Sequence, residues 1–174
     1  TIDGNARMRE RPIQDLADAL RGLGAQIDIL GQNGCPPVRV HGGGLPGGPP
    51  EIDASQSSHN VSAVLLAAPY ARQDVLLQFL HGELVSRPYV DLTLEVMRAF
   101  GADVGFTSDG HVSVRAGRPY VARDYAIEPD ASSATYPFVA AAITGGVVVV
   151  EGIPPDTAQA DFAILGLLER MGCQ

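Results

Sequence analysis

The sequence repeats itself, and the repeat restricts the folds open to it. Apolar residues at Ile13, Ala17, Leu20 and Leu23 have the spacing of one buried helix face, and Gly24 follows where such a helix would stop. The pattern returns 77 residues on as Val90, Leu94, Met97 and Phe100, with Gly24-Ala25 becoming Gly101-Ala102 and Ile27 becoming Val104. A third copy, offset by a further 71 residues, begins at Asp161 and carries Leu165, Leu168, Met171 and Gly172. A second element recurs at an offset of 75: Ser57-Ser58, Val61, Val64 and Ala68 match Ser132-Ser133, Tyr136, Val139 and Ile143. Each is a serine pair opening an apolar helix, and each leads to an expected strand, at 75–80 and 147–151. Further strands are expected at 25–30 and 38–40, with the Gly-rich stretch 41–50 as a turn. Solenoid periods are roughly 20–50 residues, so this longer period implies something else. It predicts an α/β fold in which a few helix-and-strand units pack with pseudo-symmetry around shared buried helices. The helices at 61–68 and 138–143 are apolar nearly all round, as central helices are. Pro137 lacks an amide hydrogen, which predicts that the second of these helices starts later than its twin.

Composition narrows the partners. Hydrophobic residues make up 45% of the 174 and charged residues 18%, an ordinary globular balance. There is no tryptophan, so the core must come from Ala, Val, Leu and Ile. A net charge of −8 argues against nucleic acid and anionic membrane, which need clustered Lys and Arg. A small anionic ligand needs only a few local donors and stays open. No apolar run approaches the roughly 18 residues of a membrane span. Cys35 and Cys173 have neither CxxC nor Cys/His spacing, and the reading is a reduced, cytoplasmic protein. The opening at Thr1 and the close at Met171-Gly172-Cys173-Gln174, where a helix would hand over to a strand, both read as cut ends.

Several residue groups could carry chemistry. Ser57 and Ser58 stand where a helix begins, so they either cap it or, with its free N–H groups, hold an anion. The residues alone favour the cap. Arg7, Arg9 and Arg11 could each hold a carboxylate or phosphate by two parallel hydrogen bonds, or form an exposed charged segment in which Glu10 pairs locally. Ser86 and Tyr89 lie in Val85-Ser86-Arg87-Pro88-Tyr89 at a strand-to-helix turn, facing a ligand or serving as cap and core filler. His41, His59, His81 and His111 show no metal spacing, and no metal site is expected. The run Gly42-Gly43-Gly44-Leu45-Pro46-Gly47-Gly48 lacks the GK[ST] ending of a P-loop and the strand–helix context of a dinucleotide fingerprint. No Ser-His-Asp or Cys-His constellation can be argued from the spacings.

Taken together, Arg7-Met8-Arg9-Glu10-Arg11-Pro12-Ile13, Pro36-Pro37-Val38-Arg39-Val40, Asp53-Ala54-Ser55-Gln56-Ser57-Ser58, Leu84-Val85-Ser86-Arg87-Pro88-Tyr89-Val90-Asp91-Leu92-Thr93-Leu94 and Asp130-Ala131-Ser132-Ser133-Ala134 resemble the enolpyruvyl transferase family. Their order and approximate spacing match its shikimate-pathway branch better than the branch that acts on UDP-N-acetylglucosamine. The resemblance covers essentially the whole chain. It implies two domains of three repeated α/β units each, closing on substrates between them, with residues 1–129 as the shikimate-3-phosphate-side domain and 130–174 as its last part or the truncated start of the second. It implies transfer of the enolpyruvyl group of phosphoenolpyruvate to the 5-hydroxyl of shikimate 3-phosphate, without metal or organic cofactor, by a protein that is monomeric when full length. By the same resemblance Arg11 binds phosphoenolpyruvate, Ser57, Ser58 and Ser86 hold the phosphate of shikimate 3-phosphate, and Tyr89 lies near that substrate. Where the family has a glutamine contacting the shikimate ring, this chain has His59, whose reach and shape differ. The family's catalytic lysine and carboxylate and its Gly-Asn-Ala-Gly-Thr loop have no counterpart, so no catalytic residue is expected within the chain, and the chain alone is expected to be inactive. A non-catalytic anion-binding module is the alternative that His59 and these missing residues support.

Overall fold

The computed structural model describes residues 1–174 except Gln56, Ser57 and Glu83. The chain divides into two compact units, Thr1–Ala122 and Arg123–Gln174. Eleven helices and strands are described, with a few 3-10 turns between them.

The first unit opens with helix α1 (Gln14–Gly22), followed by strands β1 (Ile27–Ile29) and β2 (Val38–Val40), which pair antiparallel with Ile27 opposite Val40. The N-terminal segment adds to this ribbon: Ile2 and Val38 exchange two backbone hydrogen bonds of 2.7 and 2.9 Å. Then come β3 (Glu51–Ile52), α2 (Ser58–Ala67), β4 (Val75–Phe79), α3 (Arg87–Ala99), β5 (Val104–Phe106) and β6 (Val112–Val114). These four strands make one sheet in the order β3-β4-β6-β5, with β3 parallel to β4 and β6 antiparallel to both its neighbours. The two residues of β3 carry no periodic signal, and sequence reading missed them.

Helix α2 fills the middle of the unit. Val61, Val64 and Leu65 are fully buried on it, flanked by Leu23 after α1 and by Val90, Leu94 and Met97 on α3. The sheet closes the core from the other side through Val75, Leu77, Val112 and Val114. His59, Ala63 and Leu66 form an exposed stripe along it, so the full enclosure expected from its all-round apolar sequence is reached only on its other faces.

The glycines expected to stop helices do so. Gly24, Gly101 and Gly172 have φ of 89°, 90° and 97°, a conformation glycine adopts without penalty. In each case the next amide reaches back to a helix carbonyl: Ala25 to Leu20, Ala102 to Met97 and Cys173 to Leu168. Arg21 and Arg98, three residues before the first two of these glycines, each donate Nε to the first residue of the following strand, at Ile27 O (3.0 Å) and Val104 O (2.9 Å).

The second unit contains α4 (Ala131–Thr144), a 3-10 turn at Ala160–Ala163 and α5 (Ile164–Arg170). Three expectations are corrected here. Helix α4 does not start late: Pro137 lies inside it, because Asp130 caps it from outside, its carboxylate accepting from Ser132 N at 3.0 Å and from the Ser133 hydroxyl. A strong cap fixes the first turn whatever follows, and the proline removes only one later hydrogen bond. It also follows that Asp130 rather than the serine pair is the capping residue. Second, α4 is not enclosed: Tyr136 and Ile143 are 78% and 79% exposed, and only Ala131 and Ala134 are buried. Third, the strand expected at 147–151 does not form, and no strand among the described residues of this unit offers α4 a sheet to lie on. Cys35 and Cys173 are both free thiols, Cys35 buried. No helix among the described residues is long and apolar enough to cross a membrane.

Candidate functional site

Chain direction assembles the site. Because β6 is antiparallel to both β4 and β5, strands β3, β4 and β5 all run the same way. Helix α2 connects β3 to β4 and α3 connects β4 to β5, so both run back along the sheet and begin where β3 and β4 end. The last turn of α1 lies at the approach to β3, where Gly47 N–H donates to Leu23 O (3.2 Å) and a side chain at Gly22 would meet Pro50. The starts of α2 and α3 therefore share one edge of the sheet, the carboxyl edge of its parallel strands. Ligands of open α/β sheets gather at such an edge, and helix N-termini there present free N–H groups and the positive end of the dipole.

The starts of α2 and α3 are also joined directly. Ala54, just past β3, accepts a hydrogen bond from the amide of Val85, just before α3, at 3.0 Å. One turn further in, Ser62 Oγ and Thr93 Oγ1 meet at 2.8 Å, and Thr93 Oγ1 donates to Tyr89 O at 2.8 Å. This cross-link holds the first turns of the two helices side by side, with Ser58 and His59 on one and Tyr89 on the other. Neither first turn contains an acidic residue that would oppose a bound anion.

The individual side chains differ in availability. Ser58 is 5% exposed, the one buried polar side chain among the described residues, so it can offer a ligand little beyond the tip of its hydroxyl. His59 is exposed beside it. Ser57, which the sequence made equal to Ser58, lies outside the described residues. Ser86 is the residue capping α3 in position but not in function: its hydroxyl makes no capping bond, and its backbone is left-handed at φ 55° and ψ 42°. A serine in that region is uncommon and carries strain that its surroundings must offset, a feature enriched at binding sites. The cap-or-ligand alternative for Ser86 thus loses its capping half. Tyr89 is 48% exposed one turn on, its amide donating to Ser86 O at 3.0 Å.

Of the three arginines ahead of α1, two are engaged. Arg7 pairs with Glu10 at 3.2 Å and Arg9 with Asp3 through Nε at 2.8 Å. Arg11 is exposed on extended backbone after the 3-10 turn Met8–Glu10, and among the described residues nothing engages its guanidinium. Asp53 stands at the end of β3 with its carboxyl below the usual carboxylate value, held there by hydrogen bonds from the hydroxyl and then the amide of Ser55 (the latter 2.9 Å) and by the nearby His81. It therefore holds Ser55, two residues on, as an anion. Among the described residues no group of three His, Cys, Asp or Glu could hold a metal ion.

Comparison with known proteins decides the family. The family model described as EPSP synthase (3-phosphoshikimate 1-carboxyvinyltransferase) matches residues 1–174. The chain belongs to the EPSP synthase family. Proteins named 3-phosphoshikimate 1-carboxyvinyltransferase from Trichormus variabilis and Edwardsiella ictaluri are 44% and 48% identical to it over 173 and 174 residues. Both alignments cover 99% of the chain and 40% of the relative, so the chain spans about two fifths of the curated relatives' length. Two solved structures of EPSP synthase from Acinetobacter baumannii superpose with TM-scores of 0.75 and 0.76 at 30% and 32% identity, covering 98% and 97% of the chain and 36% and 37% of theirs. The α/β class read from the sequence is that of these EPSP synthase structures, and the branch is the shikimate-pathway one.

Proposed function

We propose that this chain supplies the shikimate-3-phosphate side of an active site that moves the enolpyruvyl group of phosphoenolpyruvate onto the 5-hydroxyl of shikimate 3-phosphate and releases inorganic phosphate. The observation that carries this reading is Ser86: a serine in a left-handed conformation, its hydroxyl unused for capping, at one of two joined helix starts that lack acidic residues. A sugar phosphate is a dianion, and hydroxyls backed by helix N–H groups suit it. Ser57, Ser58 and Ser86 hold the phosphate in this reading, Tyr89 and His59 flank the ring, and Arg11 takes the carboxylate or phosphate of phosphoenolpyruvate. Residues 1–129 form the sugar-phosphate domain, and residues 130–174 its end or the beginning of the next. The whole protein acts as a monomer in the cytoplasm. The acid–base groups lie in the remaining three fifths of the relatives' length, and the 174-residue chain alone turns over no substrate.

The test is a phosphorus NMR titration of the chain with shikimate 3-phosphate. Ser86→Ala removes one hydrogen bond to a charged group and should weaken binding about tenfold or more. A wild-type chain that is folded yet leaves the ligand resonance unmoved would overturn the half-site. Turnover by the chain alone would overturn the division of labour.

A further inference from the structure

The segment that delivers Ser86 is held at both ends by the tip of a neighbouring hairpin. Gln78 N–H donates toward β3, to Pro50 O at 3.0 Å, so the amide of Phe79 points the other way, toward β6. The β4–β6 ladder has already ended there, its last pair being Leu77 and Val112. No backbone carbonyl of β6 is left to meet that amide, and an imidazole does so instead: Phe79 N donates to His111 Nδ1 at 3.2 Å. In this bond Nδ1 is the acceptor, which leaves Nε2 as the ring nitrogen that carries a proton. The hairpin tip that carries His111 is itself tied, with Thr107 N–H donating to His111 O (2.9 Å) and His111 N–H to Thr107 Oγ1 (3.2 Å). At the other end of the segment, Arg87 lies with its guanidinium carbon 4.3 Å from the centre of the Phe106 ring, the last residue of β5 on the same hairpin. Between these two anchors the described backbone twice adopts a left-handed conformation outside glycine, at His81 (φ 58°) and Ser86 (φ 55°). Such conformations persist only where surrounding contacts over-determine them.

We infer that His111 and Phe106 are positioning residues for Ser86, the β5–β6 hairpin tip setting the geometry of the sugar-phosphate half-site without touching the ligand. The inference rests on the function proposed above, and its test separates the two. Three variants of the 174-residue chain are compared with wild type: His111→Asn, whose Oδ1 can replace Nδ1 as acceptor, His111→Ala, which has no acceptor, and Phe106→Leu, which keeps bulk but loses the ring face. Amide exchange is measured without ligand, and shikimate 3-phosphate binding by phosphorus NMR. His111→Ala should speed exchange at Phe79 and weaken binding by roughly fivefold, the equivalent of one net hydrogen bond of about 1 kcal/mol. His111→Asn should stay within about twofold of wild type in both, and Phe106→Leu should weaken binding roughly threefold, as an exposed cation–π contact does, with Phe79 exchange unchanged. Wild-type exchange at Phe79 in His111→Ala, or equal loss in Asn and Ala, would overturn the anchor. Faster exchange with unaltered binding would overturn its role in positioning. A wild-type chain that binds no shikimate 3-phosphate would overturn the functional reading, while the exchange data still decide the anchor.

Discussion

Leu65 and Leu66 are neighbours in the same helix and of the same type, yet the structure gives them opposite fates. Leu65 is fully buried in the core, while Leu66 is 47% exposed. Replacing Leu65 by alanine removes three carbons from a close-packed site ringed by α1, α3 and the sheet, which should destabilise the first unit by about 3 kcal/mol, the lower-middle of the range for buried leucines. Leu66→Ala loses only a partly buried side chain and gains alanine's helix propensity, so about 0.5 kcal/mol or less is expected. An unfolding entropy of about 2.1 cal/mol/K per residue over Thr1–Ala122 gives roughly 0.26 kcal/mol/K. Leu65→Ala should then lower the melting temperature by about 12 °C and Leu66→Ala by about 2 °C or less. Circular dichroism at 222 nm during heating, with urea titration to check that the slope m is unchanged, measures both. Equal shifts for the two variants would refute the burial of α2 as described, and with it the rigid post on which Ser58 and His59 stand.

Two other outcomes are expected. Gly24→Ala should destabilise by well over the ~1 kcal/mol of left-handed strain alone, because the new Cβ would sit 2.5 Å from Pro46 Cγ on a ring that cannot swing away, and urea unfolding reads this directly. The Asp53 carboxyl should titrate below the ordinary aspartate value in carbon-detected NMR, and Ser55→Ala should bring it back up, since the Ser55 hydroxyl is the leading cause of the depression. The sign follows: the bond network at this turn is intact above the unfolded aspartate pKa of about 3.9 and is lost as pH falls through the lower folded value.

Elements whose partners lie close in sequence were the legible ones. The buried faces of α1 and α3, and the stops at Gly24 and Gly101, follow from local spacing and from a conformation only glycine adopts freely. The sheet was legible only in part, because β3 is two residues long and owes its pairing to β4, where Glu51 lies opposite Gln78. Apolarity all round marked both α2 and α4 as central. Helix α2 is covered on all but the His59, Ala63 and Leu66 stripe while α4 is mostly bare, because enclosure depends on what surrounds a helix and not on its own composition. At the site, the serines were visible as helix openers, but their inequality was not. The burial of Ser58 and the left-handed backbone of Ser86 arise from tertiary contacts, whereas Arg7 makes the local pair with Glu10 that the sequence offered and Arg9 pairs with Asp3 six residues before it. His111 carried no sequence signal, since its bond to Phe79 spans 32 residues.

The shared edge on which α2 and α3 begin sets a local field against the field of the whole chain. The net charge of −8 repels an arriving dianion at long range, while helix termini attract it only within about a turn. Salt separates the two, because at 0.1 M the screening length is about 10 Å, shorter than the reach of the global charge and longer than the contacts at the helix starts. Raising ionic strength from a few millimolar should therefore speed the encounter of an anionic ligand with this chain before it loosens the bound state, the reverse of the steering seen where protein and ligand carry opposite charge.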